Sequence, residues 1–285
     1  MKTNLSYLTE KILNAKIETN PFNHIYIEDF FSEEHFNEII NSDQIKLRNV
    51  NDDVDLLNAL EEVGYSVIGF PGCIQDKDEY LNWHKDKKTS HVASSSNEGF
   101  GMVFRLKNIK SQLLLDINKF IRGEEFNKAV AERFNVKYSA CHIDSGIQKY
   151  LDGYEISPHP DVRRKATTFM VNINPSDYSE TADHHTHYMK FKEDYIAVKE
   201  YWDSSGTDRA WVPWEWCDTS KMQTKNNSIV LFSPANDTLH GVKATYDHLL
   251  TQRTQLYGNM WYTVNPSVNI KKSWEDLQKE LNLKG

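Results

Sequence analysis

The 285-residue sequence predicts an α+β fold in which N-terminal helices flank a core of short β-strands arranged as a double-stranded β-helix, or jelly roll. Before residue 137 several segments carry apolar residues at helical spacing, whereas after it short β-branched and aromatic runs alternate with turn residues. Eight such runs at this density are typical of a double-sheet jelly roll. We expect a single domain over 1–285, with helices and leading strands in 1–137, the core in 138–264, an insertion in 175–227 and a C-terminal segment in 265–285.

Capping and periodicity predict the elements of the N-terminal part. Ser32 precedes Glu33 and Glu34, and a hydroxyl N-cap followed by acidic residues in the first turn indicates a helix over 33–41. The other elements predicted here are a strand over 23–31, a helix over 51–63 and a long helical stretch over 108–134 that Gly123 interrupts.

The predicted core strands cover 138–150, 153–158, 166–174, 186–192, 209–216, 228–232, 239–245 and 253–264. Four of the seven tryptophans lie in the insertion, at Trp202, Trp211, Trp214 and Trp216. Because buried tryptophans fill protein cores more often than they hold ligands, we expect these residues to pack inside the protein, with Trp211 as a candidate substrate contact.

Composition excludes several classes of function. Lys+Arg 33 against Asp+Glu 41 gives a net charge of −8, which does not suit a protein whose main partner is nucleic acid. The sequence has no apolar run long enough for a transmembrane helix and no apolar secretory segment at its start. Its cysteines, Cys73, Cys141 and Cys217, form no CxxC pair and are interpreted as free thiols. We therefore expect a cytoplasmic protein.

One pair of histidines and one acid have the spacing of a metal site. In His159-Pro160-Asp161 the two side chains are two positions apart, so on a strand they share a face. His240 follows a later apolar strand that can reach the same face. Two imidazoles and one carboxylate on one face form the facial triad of non-haem Fe(II) oxygenases.

A second His-x-Asp pair, His142 and Asp144, weakens this prediction because such pairs also arise by chance. Pro158 and Pro160 favour the first pair, since prolines place His159 at the rim of a strand rather than within a hydrogen-bonded ladder. On composition alone, the alternative is three solvated loop residues.

The residues around the first pair carry a resemblance to a known family. Tyr150-x-x-Gly153, five residues and then His159-x-Asp161 resemble the corresponding pattern of prolyl-4-hydroxylase-like 2-oxoglutarate/Fe(II) dioxygenases. The segments similar to other parts of that family are 21–31, 168–174, 227–232, 240–242 and 253–262, so the match is dense over 138–264 and thin over 43–137.

This resemblance implies a set of roles. His159, Asp161 and His240 would bind Fe(II), and Arg253 would bind the distal carboxylate of the cosubstrate 2-oxoglutarate, for which a bidentate guanidinium is suited. Tyr150 and Asn172 would lie beside the cosubstrate. The implied reaction consumes O2, decarboxylates 2-oxoglutarate to succinate, and hydroxylates an unactivated C–H bond.

For the substrate we expect a small polar or amino-acid-like molecule, contacted by Arg163, His187 and Trp211. His184, His185 and His187 suggest a second metal site, but with no acid or cysteine placed beside them they are interpreted as a loop and strand near the pocket mouth. Three other functions stay open: a peptidyl (prolyl-type) hydroxylase, a cupin-like module that binds metal without turnover, and a zinc hydrolase.

Overall fold

The computed structural model describes residues 3–70, 72–86, 99–267 and 274–280. Its helices are α1 (Ser6–Asn14), α2 (Glu33–Asn41), α3 (Asp53–Glu62), α4 (Lys77–Asp86), α5 (Gln112–Arg122), α6 (Glu124–Arg133), α7 (Ile196–Ser205) and α8 (Trp274–Glu280). Its strands are β1 (Ile17–Glu18), β2 (His24–Ile27), β3 (Tyr65–Ile68), β4 (Gly99–Phe100), β5 (Val103–Leu106), β6 (Cys141–Tyr150), β7 (Glu155–His159), β8 (Lys165–Asn172), β9 (His187–Phe191), β10 (Cys217–Met222), β11 (Ile229–Phe232), β12 (His240–Val242) and β13 (Thr254–Tyr262). No helix in these ranges is both long and apolar enough to span a membrane.

In the described part of the chain the strands form two antiparallel sheets. The larger sheet has eight strands in the order β1-β2-β11-β8-β13-β6-β5-β3, and the smaller has five in the order β10-β9-β12-β7-β4. Helices and antiparallel sheets thus occur together, and the predicted α+β class is confirmed.

Helices cover one face of the larger sheet. The apolar residues of α5 recur at helical spacing and join a core cluster that also contains Ile147, Phe169 and Leu256 of the sheet. Phe126 of α6 packs edge-on against Phe169, with the ring centroids 5.1 Å apart. Gly123 separates α5 from α6, as the sequence predicts.

The strand predicted over 209–216 is wrong. Residues 206–213 are irregular, a 3₁₀ turn covers Trp214–Trp216, and the edge strand is β10 instead. Pro213 has no N–H for a strand ladder, and its carbonyl accepts the turn hydrogen bond from the Trp216 N–H at 3.1 Å. The apolar alternation that suggested a strand reflects side-chain burial along an irregular segment.

Most residues of a second, smaller apolar cluster come from the segment 175–227. Trp202 is buried there with Met189, and Trp214 and Trp216 pack partly buried against the same cluster, so core packing is confirmed for these three tryptophans. Trp211 is half-buried and lies outside this cluster. Strands β9 and β10 also lie within 175–227 and are neighbours in the smaller sheet. Residues 192–216 form the long connection between these two strands.

Candidate metal centre and adjoining cavity

Strand pairing brings His159, Asp161 and His240 together. His159 ends β7 and His240 begins β12, and the two are register partners whose ring centroids lie 4.3 Å apart. Asp161 Oδ1 is 3.5 Å from His159 Nε2, and Asp161 Oδ2 is 3.8 Å from His240 Nε2. One ligand atom from each residue lies within 4.8 Å of the others, and all three side chains are buried.

Backbone carbonyls orient both imidazoles in the same way. His159 Nδ1 lies 2.9 Å from the Ser157 carbonyl oxygen, and His240 Nδ1 lies 2.9 Å from the Thr238 carbonyl oxygen. A carbonyl only accepts, so Nδ1 carries the proton in each ring and the Nε2 lone pairs are left facing Asp161. Burial, reinforced by the nearby His159, lowers the pKa of His240 to about 3, which keeps this imidazole neutral and able to bind a metal.

Asp161 is held in a strained conformation and kept ionised. Its φ of 64° lies in the left-handed region, which costs a non-glycine residue about 1–3 kcal/mol and is characteristic of functional sites. Thr168 Oγ1 donates to Asp161 Oδ2 at 2.9 Å, and Lys165 Nζ donates to Oδ1 at 2.5 Å. Burial acts to raise the pKa of Asp161, but the Lys165 ammonium and the rings of His240 and His159 together outweigh it, so the pKa stays well below its usual range.

The three side chains lie in the wall of a cavity of about 550 Å³. Both sheets contribute to its lining: Gln148, Met170 and Tyr257 come from the larger sheet, and Ile156 comes from the smaller one. The cavity therefore lies between the sheets, with the candidate metal ligands on the side of the smaller sheet.

Arg253 lines the same cavity as a buried cation, and no acidic side chain among the described residues pairs with it. Its guanidinium carbon lies 4.3 Å from the ring centroid of Tyr150 and 5.4 Å from that of Tyr154. Nη2 donates weakly to Thr186 and Gln255 at 3.3 and 3.4 Å, whereas the buried Nη1 has no hydrogen-bond partner in the part of the chain that the structure describes. Burial accordingly lowers the pKa of Arg253. A dehydrated guanidinium in this state is costly unless an anion pairs with it.

The other two residues predicted beside the cosubstrate differ in placement. Tyr150 lines the cavity, and the Gln148 amide donates to its hydroxyl at 2.8 Å. Asn172 does not line it. Its amide donates to the Gln223 carbonyl at 2.7 Å and its oxygen accepts from Gln255 Nε2 at 2.9 Å. Asn172 thus holds Gln255, which in turn contacts Arg253, rather than touching the cavity itself.

None of the three predicted substrate contacts is among the described residues that line the cavity. Arg163 donates instead to the backbone carbonyls of Trp202 and Thr207, at 2.8 and 2.9 Å. These hydrogen bonds hold the connection between β9 and β10 against the residues that follow β7. His187 Nδ1 lies 2.9 Å from Thr219 Oγ1 and its ring packs on Trp214, on the opposite side of β9. Trp211 is half-buried outside the lining.

Several polar residues that sequence reasoning missed do line the cavity, namely Arg105, Asp144, Tyr154, Lys165, Gln255, Tyr257, Asn259 and Trp261. Strand alternation would have predicted part of this lining. From Arg253 onward every second residue of the predicted strand shares a face, which includes Gln255, Tyr257, Asn259 and Trp261. Lys165 lies in the basic run 163–165, and although such a run is usually a solvated face, its side chain is only 12% exposed.

A second group of histidines and acids lies outside this cavity lining. His84 Nδ1 is 2.7 Å from Asp53 Oδ2, His84 Nε2 is 3.0 Å from Asp152 Oδ2, and His248 Nε2 is 2.8 Å from Asp53 Oδ1. The Asp152 backbone N–H donates to His248 Nδ1 at 2.9 Å, so the His248 proton is on Nε2 and blocks the nitrogen that a metal would need. We therefore interpret the group as an ion-pair network that ties α3 and α4 to the 150–154 turn.

His84→Phe is expected to lower the free energy of unfolding by at least about 2 kcal/mol at pH 6, since a broken buried ion pair costs about 3–5 kcal/mol and His248 retains part of this network. Burial opposes the charge on His84, but Asp152 and Asp53 outweigh it and raise its pKa. The stabilisation is therefore complete below the unfolded pKa of about 6.5 and is lost as pH rises through the higher folded value. Urea unfolding of both proteins at pH 6 and pH 9 should give a difference that shrinks at pH 9, and an equal difference at both values would contradict the assignment.

The chain is similar to known proteins only in comparisons with solved structures. No family model matches the chain, and no curated protein matches it. The chain is similar to a prolyl hydroxylase from Trichoplax adhaerens in complex with a hypoxia inducible factor oxygen degradation domain peptide fragment, at 10% identity over 90% of each chain with a TM-score of 0.45. It is also similar to a Pseudomonas putida prolyl-4-hydroxylase, at 8% identity over 92% of this chain and 100% of that one with a TM-score of 0.38. A third similar structure is a prolyl 4-hydroxylase from Phytophthora capsici, at 11% identity over 99% and 74% with a TM-score of 0.37. All three similar structures are thus prolyl hydroxylases, and each shares 11% identity or less with this chain.

Proposed function

We propose that this protein is a 2-oxoglutarate- and O2-dependent oxygenase that oxidises a C–H bond, most simply by hydroxylation, in a small polar molecule. The observation that carries the proposal is the joint arrangement in one cavity of two buried imidazoles, a buried carboxylate and a guanidinium that no described acidic residue pairs with. The two imidazoles and the carboxylate can bind a metal, and the guanidinium can bind an anionic ligand.

The residues present fit Fe(II). His159, Asp161 and His240 supply two nitrogen donors and one oxygen donor, the set that non-haem iron oxygenases use. The carbonyl of Ser157 and that of Thr238 fix the ring orientations, as partners behind a metal-bound histidine commonly do. Because these three side chains line the cavity, a metal that they held would be accessible to other ligands from the cavity.

The residues also fit 2-oxoglutarate. Arg253 offers a buried fork that matches a carboxylate, and Thr186 and Gln255 already hold one of its nitrogens. The rings of Tyr150 and Tyr154 lie against the guanidinium, and Arg253 is only 5% exposed to water. When bound, Fe(II) and 2-oxoglutarate would activate O2 as the oxidant, and 2-oxoglutarate would be converted to succinate and CO2. The protein supplies the ligand geometry, the anion site and a shaped cavity.

Strand order supports a double-stranded β-helix for this core. The eight strands β6 to β13 divide equally, as β11-β8-β13-β6 in one sheet and β10-β9-β12-β7 in the other. Successive strands change sheets throughout, except at the β9–β10 hairpin, which is how a jelly roll is wound. In this arrangement the candidate metal ligands lie at one end of the barrel.

A cavity of about 550 Å³ is of a size typical for small-molecule sites, which are about 300–1,000 Å³. The segment between β9 and β10 packs at this end, where the Val212 N–H donates to the Pro158 carbonyl at 2.8 Å beside His159. These features favour a small molecule over a peptide. A prolyl-type peptidyl hydroxylase is the second candidate, and it is favoured if a peptide rather than a small molecule stimulates turnover.

The test is succinate formation by the Fe(II)-loaded protein with 2-oxoglutarate in air. We expect succinate from the unaltered protein and, within the limit of detection, none from His159→Ala. A protein that binds metal but never consumes 2-oxoglutarate would be a cupin-like binding module. Activity that persists without O2 would indicate a hydrolase.

A further inference from the structure

The cavity carries one positive charge in excess. Among the described residues that line it, three side chains are cationic, Arg105, Lys165 and Arg253, and two are anionic, Asp144 and Asp161. Charged groups in a partly dehydrated space are stable only when they are paired. The excess therefore indicates a ligand that brings a negative charge into the cavity.

Pairing within the cavity identifies which cation is left over. Arg105 and Asp144 form a two-point ion pair, with Nη1–Oδ1 at 2.7 Å and Nη2–Oδ2 at 3.3 Å. In the proposed function a divalent metal, the 2-oxoglutarate dianion, Asp161 and Arg253 together carry no net charge. The charge of Lys165 is then left only partly balanced, because its ion-pair partner Asp161 would share its negative charge with the metal.

The surroundings of Lys165 fit an anion site. Its Nζ contacts Asp161 Oδ1 at 2.5 Å and the Tyr257 hydroxyl at 3.2 Å, and lies 5.5 Å from the ring centroid of Trp261. An ammonium has three N–H donors, and the described residues account for two acceptors. The aromatic rings keep water away from the cation, which strengthens its attraction for an anion.

We propose that Lys165, assisted by the Tyr257 hydroxyl, binds a carboxylate of the substrate beside the metal, so that the substrate is a small carboxylate-bearing molecule. This inference rests on the proposed function. A carboxylate brings the single negative charge that the cavity lacks, whereas a phosphate monoester brings about −1.5 to −2 and would leave a negative excess. Since Lys165 contacts a metal ligand, the anchored carboxylate lies close to the metal and presents a neighbouring carbon to it.

The test uses the Fe(II)- and 2-oxoglutarate-loaded protein under anaerobic conditions, with sodium acetate and neutral acetamide as matched probes. The visible charge-transfer band of the iron complex is recorded while either probe is added. The probe concentration is raised first to 100 times that of the protein and then to several millimolar. We expect acetate to change the band saturably and acetamide to act at least about 10-fold more weakly, the ratio that corresponds to one lost charged contact. Lys165→Met should abolish the acetate effect, Lys165→Arg should retain part of it, and Lys190→Met, which alters an exposed lysine of β9, should leave it unchanged.

Each other outcome overturns the inference. An acetate effect that persists in Lys165→Met means that acetate binds the metal directly. Equal effects of acetate and acetamide, or no effect of either, mean that the cavity does not select a carboxylate. If Lys165→Met no longer forms the band, Tyr257→Phe tests the same site without altering a contact of Asp161, and an unchanged acetate affinity there contradicts the assignment. Failure of the band to form in the unaltered protein rejects the proposed function instead, and is thereby distinguishable.

Discussion

His240→Ala is expected to weaken Fe(II) binding by more than about 100-fold and to abolish succinate formation, while the fold is retained. Loss of a residue that merely orients a metal ligand typically costs about 10–100-fold, and loss of the ligand itself costs more. The affinity can be measured by titration calorimetry with Mn²⁺ or Co²⁺ as air-stable substitutes.

His142→Ala is the matched control, since His142 belongs to the other His-x-Asp pair of the chain and is exposed. Its partner Asp144 is held by Arg105 rather than by an imidazole. We expect this variant to bind metal like the unaltered protein. Equal metal affinity for His240→Ala and the unaltered protein would reject the assignment of His240 as a ligand.

Arg253→Met is expected to act in opposite directions on cosubstrate binding and on stability. Removing one partner of a buried charge pair costs about 2–5 kcal/mol, so the dissociation constant for 2-oxoglutarate should rise at least about 30-fold. Without cosubstrate, the same change removes a buried guanidinium whose Nη1 has no partner, so the free energy of unfolding should stay equal or increase.

Anaerobic titration with 2-oxoglutarate and urea unfolding of the ligand-free protein measure these two effects separately. Arg253→Lys keeps the charge but loses the planar fork, and we expect it to fall between the two proteins in cosubstrate affinity. A variant that is destabilised while it binds 2-oxoglutarate normally would mean that Arg253 serves the fold alone.

Local rules were sufficient to predict the residues of the candidate metal centre. His159 and Asp161 share a face because they are two positions apart at the end of a strand. The flanking prolines distinguished this pair from His142 and Asp144, which the structure uses for a surface ring contact and an ion pair. The pairing of His240 with His159 required only that two strands be neighbours.

Residues whose role depends on tertiary packing were beyond these rules. Lys165 and Arg163 lie in the same basic run, and whether each turns into the cavity or toward the insertion is decided by elements far away in the chain. The network of His84 joins Asp53 to His248 across 195 residues, a distance at which no sequence spacing carries information. The strand predicted over 209–216 failed because periodicity reports burial and does not distinguish a ladder from a packed loop.

The most direct measurement of the central claim is anaerobic titration of the Fe(II)-loaded protein with 2-oxoglutarate, followed by visible absorption. We expect a metal-to-ligand charge-transfer band that saturates at one 2-oxoglutarate per chain, is lost in His159→Ala and needs far more 2-oxoglutarate in Arg253→Met. A chain that binds Fe(II) and 2-oxoglutarate without forming the band, or that forms it equally in His159→Ala, would contradict the account.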